Sequence, residues 1–293
     1  MQTTYTDCLY GTVSLETPLH ALIQTDVMQR LKHVHQGGAV FLVNPHMSQT
    51  RFDHSVGVML LIRRLGGSMT EQVAGLLHDM AHTAFSHLID YVLEIPDEDY
   101  HEKRHKIVLQ DPELGKVLRS YGMEPSAFAD LTRYPLLEYP KPGLSADRID
   151  YTLRDQWYLK KITQEEIQWF LAGLQVFEGR IVLSDAERGK WFQRQYRSLV
   201  EDYFNGRENA GANTLMTRLV QEAMQAGALD EQDFWEDDDW VVGKLEAYLK
   251  TDVAAWLQSK LVSFHLKDAV PSKPRSIDPE VWVTDKLVRT SNL

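Results

Sequence analysis

The chain has 293 residues, of which 43% are hydrophobic and 25% are charged, and its formal net charge at pH 7 is -11. This length and composition predict one large globular domain or a core with a smaller appendage. The acidic balance argues against a nucleic-acid-binding scaffold, which needs clustered lysine and arginine, and the single cysteine, Cys8, excludes an internal disulfide. Because residues 1–11 lack a signal-peptide pattern and no apolar run reaches the roughly 18 residues of a membrane span, we expect a cytoplasmic protein with no membrane partner.

Hydrophobic periodicity predicts helices along most of the chain. Apolar residues three and four positions apart over 19–34 predict the first amphipathic helix, which should end near Gly37-Gly38. Further helical patterns cover 56–62, 68–80, 83–94, 99–110, 112–121, 144–160, 185–204, 208–227 and 241–262. The chain is therefore expected to be predominantly helical.

Evidence for strands is confined to 174–184, where alternating segments flank a Glu-Gly turn and predict a small hairpin. The prolines from Pro271 onwards predict an extended or partly mobile arm. The sequence thus predicts an all-α helical bundle with a small β-hairpin. Its core should span 1–205, with additional C-terminal helices over 206–293 packed on that core.

The dipeptide His78-Asp79 lies at a predicted helix end and is a candidate pair of metal ligands. Taken alone, such a pair is more often a surface or capping feature. Two further ligands of suitable type are present, because His54 lies on the preceding predicted helix and Asp147 opens a later one. A mixed imidazole and carboxylate set suits Mn, Fe, Co, Ni or Zn better than Ca or an all-oxygen Mg site.

Four sequence motifs resemble those of the HD phosphohydrolase superfamily, in the order that this family shows. They are R-F-D-H-S-V-G-V at 51–58, H-D-M-A-H-T-A-F-S-H at 78–87, H-E at 101–102, and D-R-I-D-Y with R-D within 147–155. The branch that they resemble most is that of the deoxynucleoside-triphosphate triphosphohydrolases and their bacterial relatives. The resemblance implies an HD-domain helical bundle and a metal-dependent hydrolase.

The resemblance also implies the residues that carry the chemistry. One divalent transition metal ion would be held by His54, His78, Asp79 and Asp147, and an additional Mg ion could enter with the substrate. Proton transfer to the leaving oxygen would come from His82, Asp90 and His101, with His87 supporting them. The spacing agrees in part, because His82 follows His78 by four residues and so can face the same cavity.

Contacts to the substrate are implied in the same way. Phosphate would be bound by Arg51 and Arg148, since arginine binds phosphate in bidentate fashion. The sugar would be addressed by Gln36, Tyr151 and Asp155. Asp147, Tyr151 and Asp155 also fall four residues apart, which places them on one helix face.

One element departs from the resembled enzymes. Where the triphosphate-cleaving relatives carry Tyr-x-His-Lys, this chain reads Y-F-N-G at 203–206. The His and Lys are absent, and Arg194, Arg197 or Arg207 are candidates to replace the missing positive charge. A site without this cation is less obviously built for three phosphates.

The sequence predicts hydrolysis of a (deoxy)nucleoside phosphate or a related phosphoester, either as a triphosphohydrolase or as a stepwise nucleotide phosphatase. One alternative is a mixed-valent di-iron oxygenase, in which His82, His101 or His105 would hold a second iron. Another is a non-catalytic nucleotide-binding sensor. Because relatives often assemble, we also expect a homodimer or a higher homo-oligomer.

Overall fold

The computed structural model of the chain describes residues 3–270 and 273–293. The helices are α1 (Thr17–Ile23), α2 (Asp26–Arg30), α3 (Arg51–Arg64), α4 (Met69–Leu77), α5 (Leu88–Val92), α6 (Tyr100–Val108), α7 (Pro112–Ser120), α8 (Ala146–Tyr158), α9 (Gln164–Ala172), α10 (Ala186–Ser198), α11 (Arg207–Gln225), α12 (Asp238–Leu249) and α13 (Val253–Leu261). The strands are β1 (Thr3–Asp7), β2 (Gly11–Leu15), β3 (Leu174–Phe177), β4 (Arg180–Leu183), β5 (Glu280–Val283) and β6 (Lys286–Arg289). The fold is mainly helical, as expected, but these six strands make the all-α label incomplete.

The first predicted helix, over 19–34, is wrong in its extent. Thr25 has an extended backbone, with ψ of 147°, and its hydroxyl donates to the Leu22 carbonyl at 2.7 Å. Because an extended residue cannot continue a helix, the segment divides into α1 and α2. It then ends as a 3-10 turn over Leu31–His33.

The helix predicted over 83–94 begins only at Leu88. Phe85 and Ser86 have φ of 56° and 57°, in the left-handed region that an α-helix cannot contain. The Phe85 ring is fully buried, and its N–H donates to Asp238 Oδ1 at 2.6 Å. A distant contact therefore overrides the local periodicity at this point.

The helix predicted over 241–262 is two helices. Lys250, with φ of 58°, ends α12 in the left-handed conformation, and the Asp252 side chain accepts the Ala255 N–H to begin α13. In contrast, the predicted hairpin over 174–184 is present as the antiparallel pair β3 and β4.

The C-terminal arm adds two strands that the sequence analysis did not predict. Pro271, where the arm was expected to begin, lies outside the described residues. Further along, β5 pairs in parallel with β4 through Leu183 and Val281, and β6 completes a sheet in the order β3-β4-β5-β6. A second unpredicted hairpin, β1 with β2, lies at the other end of the chain.

Three helices of the main hydrophobic core, α3, α4 and α8, position the predicted metal ligands. Each helix begins at a residue whose side chain caps its first turn, namely Thr50, Ser68 and Ser145. Helix α3 packs against both α4 and α8. As a result, His54 in α3, His78 directly after α4 and Asp147 in the first turn of α8 face a common space.

A second hydrophobic cluster joins α5 to the C-terminal helices α11, α12 and α13. Helix α11 also packs on the 3-10 segment Gly38–Leu42. The boundary between 205 and 206 as a division between core and C-terminal region stays a prediction. Within residues 3–270 and 273–293, every helix is too short or too polar to cross a membrane.

Candidate active site

A cavity of about 560 Å³ is lined by residues of α3, α6 and α8 and by the segment that follows α4. It is lined by almost all of the site residues predicted from the sequence, namely Gln36, Arg51, His54, His78, Asp79, His82, His87, His101, Asp147, Arg148, Tyr151 and Asp155. The remaining one, Asp90, is buried behind the wall and hydrogen-bonds His87, with Asp90 Oδ2 at 3.2 Å from His87 Nδ1. Residues far apart in the sequence are thus gathered around one space.

The side chains of His54, His78 and Asp147 converge at one point on the cavity wall. Each offers a ligand atom, and these atoms lie within 4.8 Å of one another. Asp147 Oδ1 is 3.0 Å from His54 Nε2 and 3.7 Å from His78 Nε2. This arrangement can hold a metal ion.

Asp79 lies beside this group. Its Oδ1 is 3.3 Å from His78 Nε2, and its Oδ2 is 3.7 Å from His54 Nε2. Arg51 binds the same carboxylate, with NH1 to Oδ2 at 2.6 Å. Burial alone would raise the pKa of Asp79, but the charges of His78 and Arg51 outweigh it and hold the pKa well below its usual range. Asp79 is therefore an anionic oxygen donor.

The hydrogen bonds of His78 fit a bound cation. His78 Nδ1 lies 2.8 Å from the Gly75 carbonyl, which can only accept, so Nδ1 carries a hydrogen. In the neutral ring, the lone pair then lies on Nε2. That atom is buried and has no hydrogen-bond partner in the part of the chain that the structure describes. A metal ion would satisfy it, as it satisfies imidazole ligands whose other nitrogen is held by a carbonyl.

A chain of buried charges supports His54 from behind. His54 Nδ1 is 2.8 Å from Asp150 Oδ1, and both Asp150 oxygens accept from the Arg154 guanidinium at 2.9 and 3.0 Å. Arg154 also pairs with Asp7 at 3.0 Å, and the Tyr10 hydroxyl donates to Asp150 at 2.8 Å. The hairpin of β1 and β2 thereby fixes the orientation of a ring in α3.

The same contacts set the charge of His54 in the metal-free chain. Burial lowers the pKa of His54, but hydrogen bonds to Asp147 and Asp150 outweigh it and raise the pKa to about 10. The raised pKa favours a protonated His54, and the added proton occupies the position at which a metal ion would bind. Because an imidazole must be deprotonated to coordinate, metal binding here replaces a proton.

A second group of imidazoles lines the same cavity. The His82 and His101 rings stack with centroids 3.9 Å apart, and His82 Nε2 is 3.3 Å from Asp79 Oδ1. Burial, aided by the charge of Arg51, lowers the pKa of His82 well below its usual range. Burial and the charge of His87 lower the pKa of His101 to about 3. Both rings are therefore neutral near pH 7 in the free protein.

These rings are also close enough to bind an ion of their own. Ligand atoms of His82, His87 and His101 lie within 4.8 Å of one another. However, the Nδ1 of His87 is engaged by Asp90. The group can therefore serve either as a proton relay or as a second metal site.

Several of the residues predicted to bind the substrate already make hydrogen bonds within the protein. Asp155 accepts from Gln49 Nε2 at 2.6 Å, and burial raises the pKa of Asp155 to about 6. The Arg148 NH1 donates to the carbonyls of Tyr139 and Gly143, at 2.6 and 3.1 Å. Arg148 thus stabilises the loop before α8 by these hydrogen bonds and also lines the cavity.

Sequence reasoning missed several lining residues. Three of them are cations, namely Lys141, Lys273 and Arg275, and others are Glu138, Tyr196 and Phe204. The replacement cations expected at Arg194, Arg197 or Arg207 are not among the residues that line the cavity. Arg207 instead donates to carbonyl groups of the segment 261–264. The missed cations lie in loops without periodicity, so only the tertiary structure reveals them.

Comparison with known proteins identifies the family. A model of the HD domain family matches residues 51–167. The chain is 38% identical to the uncharacterised protein YdhJ of Bacillus subtilis, over 98% of this chain and 91% of that protein. It is 30% identical to the metal-dependent phosphohydrolase cns2 of Cordyceps militaris, over 94% of this chain and 84% of that protein.

A further relative is the deoxynucleoside triphosphate triphosphohydrolase SAMHD1 of Danio rerio, 27% identical over 59% of this chain and 36% of that protein. The matched family segment contains the candidate ligands His54, His78, Asp79 and Asp147. The chain therefore belongs to the HD-domain family of metal-dependent phosphohydrolases.

Proposed function

We propose that the chain hydrolyses a (deoxy)nucleoside phosphate or a related small phosphoester, using one divalent transition metal ion on His54, His78, Asp79 and Asp147. The convergence of ligand atoms within 4.8 Å on the wall of a cavity of about 560 Å³ carries this proposal. The mixed nitrogen and oxygen donors suit Mn, Fe, Co, Ni or Zn. When bound, such an ion lowers the pKa of water and polarises phosphorus.

Arg51 is the phosphate-binding residue nearest to the ligands. Its Nε donates to Ser86 Oγ at 2.8 Å and its NH1 to Asp79, so the side chain is held in one orientation. Its NH2 donates to no group among the described residues, so it can meet a phosphate oxygen beside the metal ligands. A fixed guanidinium also loses little conformational entropy when the substrate binds.

His82 and His101 are suited to pass a proton to the leaving oxygen. Both are neutral in the free protein, because burial lowers their pKa values. An arriving phosphate brings negative charge, which favours the protonated imidazole. Asp90 contributes by holding His87 and by accepting the Tyr100 N–H at 3.0 Å, which fixes the start of α6 and thus His101.

The rest of the cavity suits the nucleoside part of the substrate. Tyr151 and Asp155 follow Asp147 along α8 and line the same wall, and Gln36 faces the cavity from the segment before α3. Gln36 Oε1 is buried without a hydrogen-bond partner among the described residues, so it is available to a sugar hydroxyl. The cavity lies within the roughly 300–1,000 Å³ of small-molecule sites.

The names of two relatives support phosphohydrolysis, and one of them also supports a nucleotide substrate. One is named as a metal-dependent phosphohydrolase and the other as a deoxynucleoside triphosphate triphosphohydrolase. We also infer a homodimer or larger homo-oligomer in the cytoplasm, which size-exclusion chromatography with light scattering and cell fractionation would test.

The decisive experiment is chromatography of the products formed from a panel of deoxynucleoside mono-, di- and triphosphates by Mn-loaded protein. Nucleoside with tripolyphosphate indicates a triphosphohydrolase, and orthophosphate indicates stepwise removal. The control is Asp79→Asn, which keeps the size of the side chain but removes its charge. Turnover that is equal in wild type and Asp79→Asn would show that the activity does not depend on the Asp79 carboxylate, and no turnover of any nucleotide would contradict a nucleotide substrate.

The second group of imidazoles favours one alternative, a di-iron oxygenase with its other iron near His82, His87 and His101. This alternative predicts two irons per chain and an absorption band in the visible range. The hydrolase predicts full activity with one ion per chain, so metal analysis of active protein separates the two.

A further inference from the structure

Three cationic side chains from two separate segments meet at the cavity that contains the metal-ligand group. Lys141 lies in the loop before α8, and Lys273 and Arg275 lie in the arm between α13 and β5. All three line the cavity, together with Asp147 and Tyr151 of α8. These cations therefore lie on the same walls as the candidate metal centre, where carboxylates such as Glu98 and Glu138 are also present.

Arg275 is held in place but has no ion-pair partner among the described residues. Its guanidinium carbon lies 4.6 Å from the centre of the Phe204 ring, a cation-π contact that orients the side chain. Its Nε is buried and has no hydrogen-bond partner within residues 3–270 and 273–293. A buried donor without a partner is costly, and an anion in the cavity would satisfy it.

Lys141 and Lys273 add charge beside Arg275. Lys141 is in no ion pair with any described carboxylate, whereas Lys273 donates to the Asp97 carbonyl and has its Nζ 3.8 Å from Glu98 Oε2. Burial, followed by the charges of Arg148, Arg275 and Lys273, lowers the pKa of Lys141. The cations thus repel one another in the free protein, and a bound polyanion would relieve that repulsion.

We propose that Lys141, Lys273 and Arg275 form a subsite for the phosphate groups of the substrate that do not react. The substrates would then be nucleoside di- and triphosphates rather than monophosphates. The assignment of the reacting phosphate to the metal-ligand group rests on the proposed function, but the subsite binds a polyphosphate whether or not hydrolysis follows.

This subsite also accounts for the Y-F-N-G element at 203–206. That element lacks the His and Lys of the resembled enzymes, but its Phe204 provides the ring on which Arg275 lies. Positive charge thus reaches the cavity from the C-terminal arm and the loop before α8. The arm is anchored in turn by the pairing of β5 with β4, which limits how far Arg275 can move.

The test measures binding of inorganic tripolyphosphate, supplied with excess Mg²⁺, to the metal-loaded full chain by calorimetry. Arg275→Gln and Lys141→Gln should each weaken tripolyphosphate binding about tenfold, as expected for the loss of one charge-assisted contact. Binding of orthophosphate should change less than twofold. Lys286→Gln is the matched control, because this exposed lysine lies on β6 away from the cavity.

Kinetics on the same variants give a second readout. Arg275→Gln should raise KM for a deoxynucleoside triphosphate about tenfold and leave KM for the monophosphate unchanged. If Arg275→Gln does not fold by circular dichroism, Lys141→Gln decides alone, since it lies in a different segment. Tripolyphosphate binding within twofold of wild type in the folded variants would overturn the subsite. Binding that depends on Arg275 in a protein that hydrolyses no nucleotide would retain the subsite and refute only the proposed function.

Discussion

The substitution Gly57→Ala tests whether the buried charges behind His54 are rigid. Gly57 lies in α3, one turn after His54, and faces the ion pair between Asp150 and Arg154. A Cβ at this position would lie less than 3.0 Å from both Arg154 NH2 and Asp150 Oδ2. Both side chains are fully buried, so neither can move into solvent to make room.

The expected cost combines two opposing effects. Replacing glycine by alanine within a helix stabilises it by about 1 kcal/mol. Separating a buried ion pair costs about 3–5 kcal/mol, because its charges lose their partners without regaining water. The net loss is therefore about 2–4 kcal/mol in the free energy of unfolding. Displacement of Asp150 also releases the His54 ring, which should weaken metal binding by about 10- to 100-fold.

The assay is urea unfolding of the metal-free protein, followed by metal titration of the folded variant. Gly243→Ala is the matched control, because Gly243 also lies within a helix, α12, and a Cβ there would meet nothing within 4 Å. The control should be as stable as wild type or slightly more so. A Gly57→Ala protein with the stability and metal affinity of Gly243→Ala would refute the reasoning.

Three further substitutions test the cavity. Asp79→Ala should abolish activity and metal retention while leaving the helical circular dichroism intact; full activity would remove Asp79 from the ligand set. His82→Ala should lower kcat by a factor on the order of a hundred with bound metal unchanged, and metal loss would instead make it a ligand. Folding lowers the pKa of His101 from 6.5 to about 3. As the pH drops below about 6.5, only the unfolded chain therefore takes up this proton, and the free energy of unfolding decreases. Metal-free His101→Gln should accordingly lose less Tm than wild type between about pH 7.5 and pH 5, and an equal loss would contradict the assignment.

The parts of the molecule that the sequence predicted are those with a local pattern. The helices around His54, His78 and Asp147 have regular apolar spacing and side-chain caps, and their motifs stand in a recognisable order. Packing these helices together is enough to gather the residues around one cavity. Their individual chemical roles stay predictions until variants are measured.

The parts that it did not predict depend on contacts between distant segments. The turn at Phe85 is set by Asp238, which lies 153 positions further along the chain. Arg154 reads as one residue of a motif, yet its partner Asp7 comes from the first hairpin, 147 positions away. No spacing or propensity within a window of the sequence carries such information.

The cations that line the cavity show why the net charge of the whole chain does not predict whether it binds a small anion. A net charge of -11 describes the whole chain, and it weakens binding to an extended polyanion that must contact a large surface. Charges further away than a Debye length of about 8 Å are largely screened at physiological salt. A phosphate inside the cavity therefore responds mainly to the groups that line it, which include carboxylates such as Glu138 and Asp155 as well as the cations Arg51, Lys141 and Arg275. An acidic protein can for this reason hold a site for a small, highly charged anion.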